Sequence, residues 1–514
     1  MRTHARSLLM VSALAALAAA RVVLFAVLDR RPLFGGWEAP DLQRSMFYHY
    51  GLKGHLDWTF AEQVVRDAFK PPLWYGGIPL LFGWNPSLEA LDYLLVNACC
   101  TAGLVLGCFY LARRLGGDQA GVLAAAACAV MPGVAWRVVT IGVETAHAAL
   151  LLLALLALLG LIQSARESRT GDVALRGMAL GLCVGSAALM KWNFVAYIAP
   201  PALLALALCG RAAATRVVFG LGLAALLAAA VFGPWALGTA DLSEILTQGA
   251  HGEAEGEATG YYLSELIHRS LGWLGWLLAG AGVVGLAWGR EHVLHAPRPR
   301  NEALVVGSAI IALWLVHLWI PHKETRYLLP ALPLIGVLLS WPAARLSRVR
   351  GGPIVLGLLL CAGAVHSWVL PWFEQPPEEH TWSDVVSSPI ADDYDIEAVL
   401  AHPSLRVRDR TVVTLSLRPE ARFPVLTFLS WELYGRNENP VLARSDWPDV
   451  TSKACAFDLE RSTHFLTNRQ LDVHEESALR SMGFERSVIV KPRIPDVGTL
   501  SLWALEERSE PRYR

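Results

Sequence analysis

Long apolar runs separated by short polar stretches dominate the first 372 positions of this chain. Counting stretches of about 17 to 25 mostly apolar residues, the length that crosses a bilayer as a helix, predicts roughly eleven spans. They are centred in residues 8–28, 88–112, 120–135, 145–162, 174–190, 194–209, 217–237, 271–288, 303–320, 327–341 and 354–372. The pair across 174–209 is short and is interrupted by Lys191 and Asn193, which predicts a hairpin turning at Lys191. The pattern changes after a proline-rich linker at 371–377. Strand-like runs at 411–417, 425–431, 464–466, 487–490 and 499–505, with an amphipathic helix at 475–482, predict a small α/β domain. The expected fold class is therefore a multi-pass α-helical membrane protein, with a transmembrane part over 1–372 and a soluble α/β domain over 373–514.

Arginine sets the orientation. Arg2 and Arg6, Arg113 and Arg114, Arg166 and Arg169, Arg211 and Arg216, Arg290 with Arg298 and Arg300, and Arg345 with Arg348 and Arg350 fall in alternate loops, which the positive-inside rule places in the cytoplasm. The other loops, all six lysines and the tail are then expected outside. Arg2 and Arg6 ahead of a run through Ala18-Ala19-Ala20 also fit a cleaved signal peptide. The run resumes at Val22 and reaches bilayer thickness, which favours its retention as a span, and either outcome leaves the next loop external. With 54% hydrophobic and only 17% charged residues, the composition excludes an ordinary soluble protein of this length. A formal net charge of -1 lacks the basic excess that a nucleic-acid binder needs. Cys455 is the one cysteine of eight outside the apolar segments, so no disulfide framework or cysteine metal site is readable.

Charge at a membrane boundary is costly, so its positions mark candidate chemistry. His322-Lys323-Glu324-Thr325-Arg326-Tyr327 stands between two apolar runs, where an apolar pocket and an anionic head group can be held together. The first external loop, 29–87, is longer than a connector between spans needs to be. It sets Glu38 and Asp41 among Trp37, Phe47, Tyr48 and Tyr50, and its 61–69 stretch has an amphipathic pattern suited to the interface. A second external region, 136–144, ends on Glu144. The third, 238–270, carries the acidic glycine-rich run 251–257 ahead of Tyr261 and Tyr262, and is either a lid that orders over an acceptor or a solvated linker. His251 has no second ligand at metal spacing.

Asp41 soon after the first span, Lys70-Pro71-Pro72-Leu73-Trp74-Tyr75 with Leu81-Phe82-Gly83 before the second, Tyr110-Leu111-Ala112-Arg113-Arg114-Leu115-Gly116-Gly117 after it, and Arg326-Tyr327-Leu328-Leu329-Pro330 with Pro333 form an ordered set. This set resembles the GT-C glycosyltransferases over about residues 1–372. The layout is similar to that of the bacterial branch of protein mannosyltransferases and aminoarabinose transferases. His322-Lys323-Glu324-Thr325-Arg326 is also similar to the His-Lys-Glu-x-Arg signature of dolichol-phosphate-mannose-dependent mannosyltransferases, with Tyr327 where that pattern usually has Phe. The resemblance implies an integral membrane enzyme, of the inner membrane in a bacterium, that takes a sugar from a polyprenyl-phosphate carrier. It would transfer that sugar with inversion to a hydroxyl of a lipid, glycan or protein acceptor outside. Mannose is favoured by the His-Lys-Glu-x-Arg resemblance, while the bacterial branch uses several sugars.

Inverting transfer needs a carboxylate to take the acceptor's proton and positive charge where the phosphate leaves. Asp41 is the candidate base, with a helix cap as its other reading, and Glu38 is the alternative base. Lys323 and Arg326 are the candidate partners of the donor phosphate, Arg as a fork and Lys as a mobile point charge, with His322, Glu324 and Tyr327 in support. Lys191 either adds a cation for the phosphate or snorkels from a helix end. Glu144 either orients the acceptor, binds a divalent metal, pairs with Arg137 or sits favourably at a helix N-terminus, which leaves metal dependence open. The expected partners are the polyprenyl-phosphate-linked donor, its acceptor and membrane lipids, with no nucleic acid. The competing class is a transporter or flippase of a lipid-linked sugar or hydrophobic solute. Transporters show internal repeats and charges near the midplane, whereas here no repeat is evident and the charges gather at one surface.

Overall fold

The computed structural model describes residues 2–28, 45, 48, 71–84, 90–239, 261–288, 297–319, 325–370, 410–415, 441–447, 464–467, 471–490 and 500–505. Its helices are α1 (Arg2–Leu28), α2 (Pro72–Leu81), α3 (Ala90–Gly116), α4 (Asp118–Val130), α5 (Pro132–Arg137), α6 (Glu144–Arg166), α7 (Thr170–Ala188), α8 (Phe194–Leu208) and α9 (Arg211–Thr239). They continue as α10 (Tyr261–Glu265), α11 (Gly272–Trp288), α12 (Pro297–Trp319), α13 (Ala331–Ala343) and α14 (Gly352–Ala364). Among the described residues, six helices are long and apolar enough to cross a membrane: α1, α3, α6, α9, α12 and α14 with its continuation to Val369. A seventh is counted if α10 and α11, bent by 85° where Gly272 takes a φ of +54°, form one span. The chain is an integral membrane protein. The other four expected segments also form helices, as α4 with α5, α7, α8 and α13. Most of the first external loop, including 61–69, lies outside the described residues.

Between apolar helices in lipid, close backbone approach replaces the hydrophobic drive that joins helices in water. The seam of α7 and α9 shows this directly. Gly177, Gly181 and Gly185 recur every fourth residue on α7, and a Cβ at Gly177 or Gly181 would lie 2.5 Å from the carbonyl oxygen of Gly220 or Ala224 on α9. Where a helix breaks inside the bundle, side chains take over the exposed carbonyls. Pro132 has no N–H to give, so the ladder stops between α4 and α5. Trp368 Nε1 donates to the Ala129 carbonyl at 2.9 Å, Ser367 Oγ to Val130 at 2.7 Å, and the buried Arg21 guanidinium to Ala135 at 2.5 Å. That arrangement meets the requirement that backbone polar groups in a membrane be satisfied within the protein.

In the tail, β1 (Arg410–Leu415), β2 (Val441–Trp447), β3 (His464–Thr467), β4 (Phe484–Val490) and β5 (Leu500–Leu505) form one mixed sheet in the order β2-β1-β3-β5-β4. β1 runs parallel to β2 and β3, and β5 runs antiparallel to β3 and β4. Helix α15 (Val473–Ser481) precedes β4 and opens on a capping box, in which Asp472 and Glu475 each accept the other's backbone N–H at 2.8 and 3.1 Å. Phe465, Leu479 and Phe484 are buried between helix and sheet. The expected strand at 425–431 lies outside the described residues. β2 was not anticipated, because Arg444, Ser445 and Asp446 interrupt any apolar alternation in it.

Candidate active site

Glu144 is the first residue of the 23-residue helix α6 and is buried. The turn that delivers it is held by Asn97 of α3, whose Nδ2 donates to the Thr140 carbonyl at 2.8 Å, and by the Thr140 hydroxyl donating to the Arg137 carbonyl at 2.8 Å. Its carboxylate lies against Gly142, where a Cβ would stand 2.7 Å from Oε2. Lys191 comes from the turn between α7 and α8. The Leu189 carbonyl in that turn accepts the Leu73 N–H of α2 at 2.9 Å, so the start of α2 docks on the segment that carries Lys191. Arg326 comes from a third place, the 3-10 turn Thr325–Leu328 ahead of α13.

These three meet at a single atom. Lys191 Nζ lies 3.5 Å and Arg326 Nε 3.6 Å from Glu144 Oε1. The carboxylate is 8% exposed and each cation 22%, so the anion sits behind cations that face a more open side. A carboxylate withdrawn from water without such partners would cost several kcal/mol.

An aromatic wall supports the cations. The Lys191 ammonium lies 3.7 Å from the centre of the Tyr327 ring, and the Arg326 guanidinium carbon 5.6 Å from it. A cation over a ring face gains from the ring's quadrupole. His317, in the last turn of α12, stacks on Tyr327 with ring centres 4.9 Å apart and planes 14° off parallel, and its Nε2 is 2.8 Å from the Tyr197 hydroxyl of α8. Tyr262 of α10 is buried against His317 and Trp314, at 6.1 and 6.4 Å between ring centres. His147, on the same helix as Glu144, packs edge-on against Phe194 at 4.8 Å and Tyr197 at 5.6 Å.

Of the residues singled out in the sequence, Glu144, Lys191, Arg326, Tyr327 and Tyr262 thus belong to one constellation. Tyr262 is part of its packed wall. Asp41, Glu38, His322, Lys323 and Glu324 lie outside the described residues, as do the 251–257 run and the side chain of Tyr261. Arg137, weighed as a partner of Glu144, pairs with Glu265 of α10 at 3.9 Å. Among the described residues no group of three or more His, Cys, Asp and Glu side chains is placed to hold a metal ion. Tyr197, His317 and His147 were not anticipated, since a single polar ring in an apolar run reads as core. Their one local signal is position, each within about two helical turns of a candidate charge.

The arginine-rich helix ends gather at the other end of α6, about 34 Å away at 1.5 Å per residue. There Arg114 pairs with Glu302 at 2.9 Å, Arg166 donates to the Leu208 carbonyl at 3.0 Å, and Arg216 to that of Ala165 at 3.1 Å.

This arrangement of helices and tail is shared with solved structures of other proteins. ArnT from Cupriavidus metallidurans bound to undecaprenyl phosphate is similar over 96% of this chain and 97% of its own, with a TM-score of 0.62 and 15% identity. The same protein in the apo state gives 0.64 over 95% and 97%, also at 15% identity. The arabinofuranosyltransferase AftD from Mycobacteria is similar at a TM-score of 0.51 and 14% identity, over 97% of this chain but 40% of that longer one. No protein-family profile matches the chain, and a comparison with curated protein sequences finds no match. At these identities the likeness is one of fold.

Proposed function

We propose that this protein is an inverting glycosyltransferase that moves a sugar from a polyprenyl-phosphate carrier to a hydroxyl acceptor at the external face of the membrane. The observation that carries the reading is the convergence of Lys191 and Arg326, from separate turns, at one partly open end of an apolar helix bundle. Two cations beside apolar helices fit a phosphate borne on an isoprenoid chain. The undecaprenyl phosphate bound by ArnT, in the same fold, supports a donor of that class. In this reading Asp41 takes the acceptor's proton while its oxygen attacks the anomeric carbon. The bond from that carbon to the phosphate oxygen breaks, and the electron pair leaves on the phosphate, where Lys191, Arg326 and Lys323 stabilise it. Tyr327 supports Lys191 and Arg326, and we assign His322 and Glu324, its neighbours in sequence, to the same supporting role.

The sugar is mannose or another hexose or pentose, and the acceptor a lipid, glycan or protein. Eleven spans put the site and a periplasmic α/β domain, 373–514, on the outer side of a bacterial inner membrane. The decisive experiment incubates the membrane enzyme with a panel of polyprenyl-phosphate sugars and identifies the glycosylated product. One donor should be consumed, with polyprenyl phosphate released and the anomeric configuration inverted. Movement of intact lipid-linked sugar across vesicles, without turnover of any donor, would instead establish a transporter.

A further inference from the structure

We infer that Glu144 is a built-in stand-in for the donor phosphate, holding Lys191 and Arg326 before the donor binds and yielding them when it arrives. The inference rests on the reading of those two cations as the donor-phosphate partners. One oxygen, Oε1, serves both, at 3.5 and 3.6 Å. Sharing one oxygen between a lysine and an arginine is how a phosphate oxygen would engage them. Both contacts are longer than the ~2.7–2.9 Å of a tight charge-assisted hydrogen bond, so they are ion pairs and not short hydrogen bonds. The exposures point the same way: at 22% each cation is more exposed than the Glu144 carboxylate at 8%.

The carboxylate also has somewhere to go. As the first residue of α6 it keeps the favourable field of the helix N-terminus after it releases the cations. Exchange of this kind answers a difficulty in the proposed reaction. The donor is a phosphodiester with one negative charge, whereas the released polyprenyl phosphate is a monoester carrying close to two at neutral pH. Cations that help the phosphate to leave would then hold the product more firmly than the donor. A resident carboxylate competes with that product and speeds its release.

A stand-in and a mere positioning residue give opposite results when the charge is removed. Glu144→Gln keeps the shape, and should tighten polyprenyl phosphate binding roughly tenfold, or about 1.4 kcal/mol, with stronger product inhibition. A carboxylate that only organises the cations would weaken binding on removal. The measurement is direct binding of polyprenyl phosphate, and of uncharged polyprenol of equal length, to the full chain in lipid nanodiscs. The wild type should prefer the phosphate, and Glu144→Gln should tighten the phosphate alone. Equal binding of phosphate and polyprenol by the wild type would overturn the donor-phosphate reading itself. A wild-type preference for phosphate, with unchanged or weaker binding in Glu144→Gln, would overturn the stand-in role only. Glu144→Asp draws the charge back by one methylene and should tighten binding by a smaller factor, which tests the same role in a second fold-conserving variant. Unchanged or weaker phosphate binding in folded Glu144→Asp overturns it as well.

Discussion

At the scale of single residues, the site depends on cations whose geometry is set by their neighbours. Lys191→Ala and Arg326→Ala should each lower donor-dependent turnover by roughly ten- to a hundredfold, because a hydrogen bond to a charged group contributes about 1.5–3 kcal/mol. Arg326→Lys should recover only part of it if the guanidinium fork is used. Normal turnover in both alanine variants would assign the cluster to membrane anchoring. Asp41→Asn separates base from cap, since Asn and Asp cap helices alike but only the carboxylate accepts a proton at neutral pH. Transfer should be abolished with donor binding retained, and full activity on folded protein would shift the base to Glu38. Lys191, Arg326 and Glu144 were legible because charge next to an apolar run stands out in sequence. The stack of His317 on Tyr327 and the Tyr197 hydroxyl behind it were not, because each partner comes from a different helix and none is conspicuous alone.

At the scale of elements, apolar length predicted where helices form, but not how they break or how closely they approach. The stop at Pro132 lies inside a run that hydropathy reads as continuous, and the side chains that repair that break, Arg21, Ser367 and Trp368, come from distant positions. The small-residue seam of α7 shows what such approaches demand. Gly181→Leu would drive a side chain into the Ala224 backbone. Overpacking of this kind costs about 1–3 kcal/mol and sometimes more. A fall in thermal unfolding temperature is expected, together with lower activity, since α7 leads into the turn that carries Lys191. An exposed control, Gly222→Ala on α9, meets nothing within 4 Å and should change neither.

At the scale of the whole molecule, alternation of arginine along the chain predicted which loops share a side of the membrane. The turns bearing Glu144, Lys191 and Arg326 do meet at one end of the bundle, and Arg114, Arg166 and Arg216 engage partners at the other. Which end faces outward is a separate question, answered by a reporter active only in the cytoplasm and fused after Arg514. Eleven spans predict silence from it, and strong signal would reverse the placement of the site. That two cations share one carboxylate oxygen was beyond the sequence, because hydropathy fixes a residue's depth and leaves its angular position around the bundle free.

The bare Cα of Gly142 has an evolutionary consequence. Glycine and alanine codons differ by one nucleotide, and an added methyl would meet the mobile tip of Glu144, not a fixed backbone. The fold can therefore absorb the change by swinging that carboxylate away from residue 142 and toward the cations. Gly142→Ala should leave the unfolding temperature nearly constant while raising the dissociation constant for polyprenyl phosphate, as measured on the same nanodisc sample. A lineage would then have a single-step dial on donor affinity that alters no charged residue.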